Sequence, residues 1–174
     1  LTLGGGDATL LEVTGAYGAL ANGGFRVQPR FILRIEDQAG KVLHPEVRPL
    51  LQRAMDPRHA YWLNAILSDR VERQRAFGAS NYLDLPFTSA VKTGTTDDYR
   101  DSWTVGYTPQ QLVAGVWVGN NDNSPMDRLT GARGAALIWR EFMTKALEGR
   151  EHPEFTRPDG LVEVEVCPVS GQLH

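Results

Sequence analysis

The chain has 174 residues, 41% hydrophobic and 22% charged, an ordinary globular composition with enough length to bury a core. Its net charge of -3 gives no electrostatic case for nucleic acid, and no apolar run approaches the roughly 18 residues needed to span a bilayer. The single cysteine, Cys167, excludes an internal disulfide, and His44, His59, His152 and His174 form no pair at metal-ligand spacing.

In chain order, Thr9-x-x-Glu12 is a capping box, and Leu10, Val13, Tyr17 and Leu20 repeat at helical spacing up to Gly23-Gly24, a glycine stop. "FILRIEDQAGKVL" predicts a hairpin turning at Asp37 and Gly40. Asp56-Pro57 predicts an N-cap and a first-turn proline, opening a helix to about Val71 with Leu63, Ile66 and Leu67 inward. "ERQRAFGASNYLDLP" has no period and reads as loop. Three strands follow, at Phe87–Thr95, Ser102–Tyr107 and Leu112–Gly119. The short link at Thr108–Gln111 makes the last two an antiparallel hairpin. "LVAGVWVG" is apolar on both faces and predicts a strand covered on both sides. After a loop, "AALIWREFMTKAL" is a helix with Ile138, Phe142 and Ala146 on one face, and "LVEVEV" alternates as an exposed strand would. Helices, clustered antiparallel strands and a final helix make an α+β fold, an antiparallel sheet flanked by helices.

Chemistry concentrates in Lys92-Thr93-Gly94-Thr95. On a strand, Lys92 and Gly94 point one way, Thr93 and Thr95 the other. At a sheet edge such a strand offers unpaired N–H and C=O groups to which a peptide can add as a further strand. Gly94 lets that partner approach without meeting a Cβ. The two threonine hydroxyls can donate to a carboxylate, Lys92 supplies positive potential, and a backbone N–H near Thr95 can stabilise an oxyanion. Those are the requirements of an acyl-transfer site for a C-terminal peptide. The tetrapeptide by itself is more often a solvated edge than a site.

Its surroundings add specificity. The strand is followed by "TDDYRDSW", "VGYTP" and "LVAGVWVGNNDNSP", and it is preceded by "TLLEVTGAYGALANGG". "TGARGAALIWREFM" and "CPVSG" follow later. In this order the motifs closely resemble the C-terminal half of the transpeptidase domain of class A, bifunctional, penicillin-binding proteins, over nearly the whole chain. The resemblance implies a partial penicillin-binding/serine β-lactamase-like fold. Residues 1–150 would be the C-terminal part of that domain, and 151–174 a tail or the start of a following segment. It implies a peptidoglycan D,D-transpeptidase that forms a serine acyl-enzyme with stem peptides and binds β-lactams, without a cofactor or metal. Lys92 and Thr95 would be catalytic, and Lys92, Thr93, Gly94 and Thr95 substrate-binding. The parent would be membrane-anchored on the extracytoplasmic side of a bacterial cell; a glycosyltransferase domain fused upstream would favour the bifunctional synthase over a hydrolase of the same chemistry.

The family's S-x-x-K nucleophile motif and S-x-N motif both precede the "LEVTGAY" helix, so they are expected on an upstream segment of the same protein. The start at Leu1 agrees with a piece of something longer. Such a piece is expected to be inactive alone, and to pair with the missing segment or with another copy of itself. Ser89-Ala90-Val91-Lys92 matches S-x-x-K as text, but positions i and i+3 share a face only on a helix, so Ser89 reads as an ordinary strand residue. Ser80-Asn81-Tyr82 does not fit S-x-N, and Ser68-Asp69-Arg70 reads as a helix end. Gly4–Gly6 lacks the Lys-Ser/Thr of a phosphate loop, and Asn120–Asn123 lacks calcium-loop spacing. Asp97, Asp98 and Asp101 read as solvated loop, with Arg100 or Asp101 making structural contacts, and Tyr17, Trp117 and Trp139 as core. Two alternatives stay open: a D,D-carboxypeptidase or β-lactamase-like hydrolase, and a non-catalytic binding or scaffold module with a degenerate site.

Overall fold

The computed structural model describes residues 6–26, 28–45, 50–167 and 169–173. Helix α1 (Leu10–Ala21) starts as expected, with the Thr9 hydroxyl accepting from Glu12 N–H while the Glu12 carboxylate accepts from Thr9 N–H at 2.9 Å. Strands β1 (Phe25–Arg26) and β4 (Gln52–Arg53) pair around a hairpin of β2 (Ile35–Glu36) and β3 (Val42–His44), turned by Asp37 and Gly40. Helix α2 (Pro57–Ser68) opens on Asp56, whose carboxylate accepts from Arg58 N–H. The main sheet has the order β5-β6-β7, all antiparallel, from β5 (Ala90–Thr95), β6 (Asp101–Tyr107) and β7 (Val113–Gly119). Helix α4 (Ala135–Ala146) ends the compact part.

The expectation that β7 is covered on both sides holds in part: α1 and α4 pack on its two faces, but Ala114 is its one buried residue and Trp117 is exposed. A Cβ at Gly115 would lie 2.1 Å from Thr14 Oγ1 of α1, and a Cβ at Gly106 of β6 would lie 2.3 Å from Trp139 Cζ2 of α4. Helices α1 and α4 thus close on opposite faces, and only a residue without a Cβ permits the Trp139 indole to lie so near the strand. One core joins Leu83, Leu85, Val91, Ala114, Trp139, Met143 and Leu147. The other joins Leu20, Ala21, Ala60, Ala90 and Tyr107, with Phe155 of the tail packed on it. Inside the second core, Asn64 Nδ2 donates to Leu20 C=O at 3.1 Å and Asn64 Oδ1 accepts from Tyr107 O–H at 2.7 Å. Tail residues return to the sheet: Glu154 accepts from Thr88 Oγ1, His152 stacks on Phe87, and Gln111 donates to Glu151 C=O.

Several expectations are corrected. Helix α2 stops at Ser68 rather than Val71, because the Asp69 carboxylate accepts from Val71 and Glu72 N–H groups and starts a new helix, α3 (Arg70–Phe77), where loop was expected. Helix α3 packs through a buried Arg73, paired with Asp84 at 2.7 Å. In α2, Leu63 and Ile66 are exposed; Ala60 and Asn64 face the core, with Leu67 packed against it. In α4, Ile138 and Phe142 are exposed, whereas Ala135, Ala136, Trp139 and Met143 are buried. Strand β5 begins at Ala90 rather than Phe87. "LVEVEV" forms no strand, only an isolated bridge from Val166 to Leu173. Trp117 is 38% exposed rather than core.

Candidate active site

Strand β5 lies at the edge of the sheet, as the motif requires. Its register sets Lys92 opposite Val105, Thr93 opposite Thr104, Gly94 opposite Trp103 and Thr95 opposite Ser102. One step further, Thr96 N–H donates to Asp101 C=O at 3.2 Å. Antiparallel ladders alternate, so Thr96 bonds inward and Thr95 and Thr93 turn their N–H and C=O groups away from β6, to the open edge. Lys92 Nζ donates to Thr93 C=O at 2.5 Å. A Cβ at Gly94 would sit 3.3 Å from Trp103 Cβ, on the sheet face.

The side-chain rows separate the motif's two halves. Thr93 and Thr95 share a row direction with Thr104 and Ser102, and so lie on the α4 face with Gly106. Lys92 shares its row with Val105 and Gly115, on the α1 face. Ser102 and Thr104 are fully buried beneath a turn at Thr130–Ala135. Ser102 Oγ donates to Thr130 C=O at 3.0 Å and accepts from Ala135 N–H at 3.1 Å, capping α4 from outside the helix. Thr104 Oγ1 donates to Gly131 C=O at 3.0 Å, and Gly131 N–H donates to Thr95 Oγ1 at 3.0 Å.

The link from β5 to β6 is built from the acidic stretch. Asp101 accepts from Trp117 Nε1 at 2.7 Å and from Thr96 Oγ1 at 2.9 Å, and Arg100 donates to Asn123 C=O at 2.6 Å. Asp98 and Tyr99 take left-handed backbone conformations, with φ of 59° and 56°. Arg100 and Asp101 thus make structural contacts that shape the turn, as expected. Ser89 is buried one residue before β5 and lies in no helix that could carry an S-x-x-K site, and Ser68 and Asp69 sit at a helix junction.

A family model, "Penicillin binding protein transpeptidase domain", matches residues 2–144. The chain belongs to that family. It is 36% identical, over an alignment of 170 positions that covers 93% of this chain and 21% of that protein, to penicillin-binding protein 1A of Neisseria meningitidis. It is 34% identical, over an alignment of 176 positions that covers 98% of this chain and 25% of that protein, to penicillin-binding protein 2D of Bacillus subtilis. The chain therefore spans about a fifth to a quarter of these curated relatives. Among solved structures, penicillin-binding protein 1A from Haemophilus influenzae superposes with a TM-score of 0.79 over 96% of this chain and 30% of that one, at 22% identity, which shows the shared fold. The PonA1 protein from Mycobacterium tuberculosis in complex with penicillin V gives 0.70 over 85% of this chain and 40% of that one, at 26% identity. The fold is thus a partial penicillin-binding transpeptidase fold, and the motif-based assignment to the C-terminal part of that domain, with class A relatives, stands.

The structure brings Lys92, Thr93, Gly94 and Thr95 together on one edge. It adds three residues that the sequence does not by itself place beside them, Ser102, Thr104 and Gly131. A readable signal exists: Ser102-x-Thr104 alternates as Thr93-x-Thr95 does, so two antiparallel strands carry four hydroxyls on one face. Nothing local in "LTGARG" indicates which strand that turn would meet. Among the described residues no helix is long and apolar enough to cross a membrane.

Proposed function

We propose that the chain supplies the sheet half of a serine D,D-transpeptidase site in a protein that cross-links peptidoglycan on the extracytoplasmic face of a bacterial membrane. The nucleophile lies on a segment upstream of Leu1. That serine attacks the carbonyl of the penultimate D-alanine, the bond to the terminal D-alanine breaks, and the departing amine takes a proton. The amine of a neighbouring stem peptide then attacks the ester and releases the serine. A β-lactam follows the first step and stays bound as an ester.

In this reading the donor peptide adds along β5. The Thr93 and Thr95 hydroxyls donate to its terminal carboxylate, and the Thr95 N–H stabilises the oxyanion. Lys92 lends positive potential and supports proton transfer next to the nucleophile. The observation carrying the proposal is the open edge itself: outward Thr95 N–H, two threonine hydroxyls on one face and a lysine in a single run of four residues. The test is Lys92→Ala in the full-length protein, with penicillin acylation followed by stopped flow. Acylation is expected to slow at least ~100-fold, the usual scale for losing a positioned acid–base or electrostatic group. A folded variant that acylates at the wild-type rate overturns the assignment.

A further inference from the structure

The hydrogen bonds beneath β5 give Thr95 a fixed donor direction. A hydroxyl has one hydrogen and two acceptor lone pairs. The Gly131 N–H can only donate, so at 3.0 Å it occupies a lone pair of Thr95 Oγ1 and leaves the hydroxyl hydrogen unspent. Among the described residues Thr95 Oγ1 has no other hydrogen-bond partner, and Thr95 is exposed. The hydrogen is thus held ready for an incoming acceptor, and the oxygen is polarised in the sense that makes it a better donor.

Gly131 is itself held rigidly. Its carbonyl accepts from Thr104 Oγ1 at 3.0 Å and from Ala136 N–H at 2.9 Å, and the preceding carbonyl, of Thr130, accepts from Ser102 Oγ. A Cβ on Gly131 would stand 2.4 Å from Trp103 C=O and 2.6 Å from Gly94 C=O, so any larger residue lifts the turn off the strands. Thr104 is fully buried, and its hydroxyl donates to the Gly131 carbonyl.

We infer that Thr104 and Gly131 are positioning residues that set Thr95 as a hydrogen-bond donor, and so make this edge selective for a substrate ending in a free carboxylate over its ester. The inference rests on the proposed carboxylate-binding role of Thr95. Selectivity is the readout to use, because a ratio of two rates on one enzyme preparation does not change with the fraction folded.

The experiment measures second-order acylation of the full-length protein by penicillin G and by its methyl ester. Thr95→Val is expected to reduce the acid-over-ester ratio about 10- to 100-fold, the range for a hydrogen bond to a charged group. Thr104→Val, which keeps the shape and removes the donor to Gly131, is expected to reduce it about 3- to 10-fold, an indirect effect of the kind seen when an orienting partner is lost. Thr104→Ser, which keeps the hydroxyl, should stay within about twofold of wild type. Gly131→Ala should behave like Thr104→Val or worse. If Thr95→Val lowers the ratio and Thr104→Val does not, the positioning role is wrong while the carboxylate role survives. The positioning role is equally wrong if Thr104→Ser loses as much as Thr104→Val. If Thr95→Val leaves the ratio unchanged, the carboxylate role itself falls, and the inference with it.

Discussion

Asp84 anchors the segment that leads into β5, and replacing it by asparagine should loosen that part of the domain. Its carboxylate accepts from Arg73 Nη1 at 2.7 Å, Asn81 Nδ2 at 3.1 Å and Gln74 Nε2 at 3.3 Å, while Arg73 Nη2 donates to Leu67 C=O at 2.6 Å. Both charged groups are at least nine-tenths buried, so Asp84→Asn leaves a guanidinium without its counter-charge. Breaking a buried pair from one side costs about 3–5 kcal/mol. The asparagine oxygen still accepts from one donor and Arg73 keeps the Leu67 carbonyl, so about 2–3 kcal/mol is expected. In urea, with a slope of about 1–3 kcal/mol/M, the unfolding midpoint of the full-length protein's transpeptidase domain should fall by roughly 0.7–3 M at unchanged slope. Replacing both partners, as Arg73→Met with Asp84→Leu, should destabilise less than Asp84→Asn alone. Burial by itself would raise the Asp84 pKa; hydrogen bonds from Arg73, Gln74 and Asn81 outweigh it and hold the carboxyl below its usual range. A depressed pKa contributes stability above the unfolded value of about 3.9, lost as pH falls through the folded value. The gap between wild type and Asp84→Asn should therefore be full near neutrality and close below pH ~4. A midpoint within ~0.2 M of wild type, or a gap that widens in acid, would show that the Arg73–Asp84 pair does not hold this segment.

Three further outcomes are expected. Asn64→Ala strands the Leu20 carbonyl and the buried Tyr107 hydroxyl together and should destabilise by about 2–4 kcal/mol, read as a urea midpoint; a loss under ~1 kcal/mol would mean that water replaces the amide. Gly106→Ala drives a methyl into the Trp139 ring and should cost about 1–3 kcal/mol, with a changed Trp fluorescence; an unshifted melting curve would show slack at that contact. Ser89→Ala in the full-length protein should leave penicillin acylation within a few-fold of wild type, and loss of acylation in a folded variant would make Ser89 part of the chemistry.

What the sequence reveals tracks how local the cause is. The Thr9/Glu12 box and the Asp56-Pro57 start are satisfied within one turn, so their residues announce the helices. The three-strand order follows from short links and apolar runs. Helix α3 reads as loop because it has no apolar stripe and is tied to the core through a buried ion pair from Arg73 to Asp84, eleven residues downstream; its local signs are the Asp69-x-x-Glu72 start, the Glu72–Arg75 pair and the Gly78 stop. Helices α2 and α4 are legible as helices, but their buried faces are not. A polar Asn64 occupies a core position in α2, while Leu63, Ile66, Ile138 and Phe142 spend their apolar character outside. The edge strand with Lys92, Thr93, Gly94 and Thr95 is legible because alternation alone fixes which side chains share a face. The support from Thr104 and Gly131 is not, since it depends on a turn 36 residues away folding back under Thr95.

In the proposed reading this chain holds the sheet half of the site, and the nucleophile lies elsewhere in the protein. The most direct measurement incubates the purified 174 residues with fluorescent penicillin, alone and with the upstream segment added, and maps any adduct by mass spectrometry. No covalent labelling of the chain alone, and labelling of an upstream serine only when both parts are mixed, is the expected result. Stoichiometric labelling of the chain alone, at Ser89 or any other residue within it, would contradict the claim.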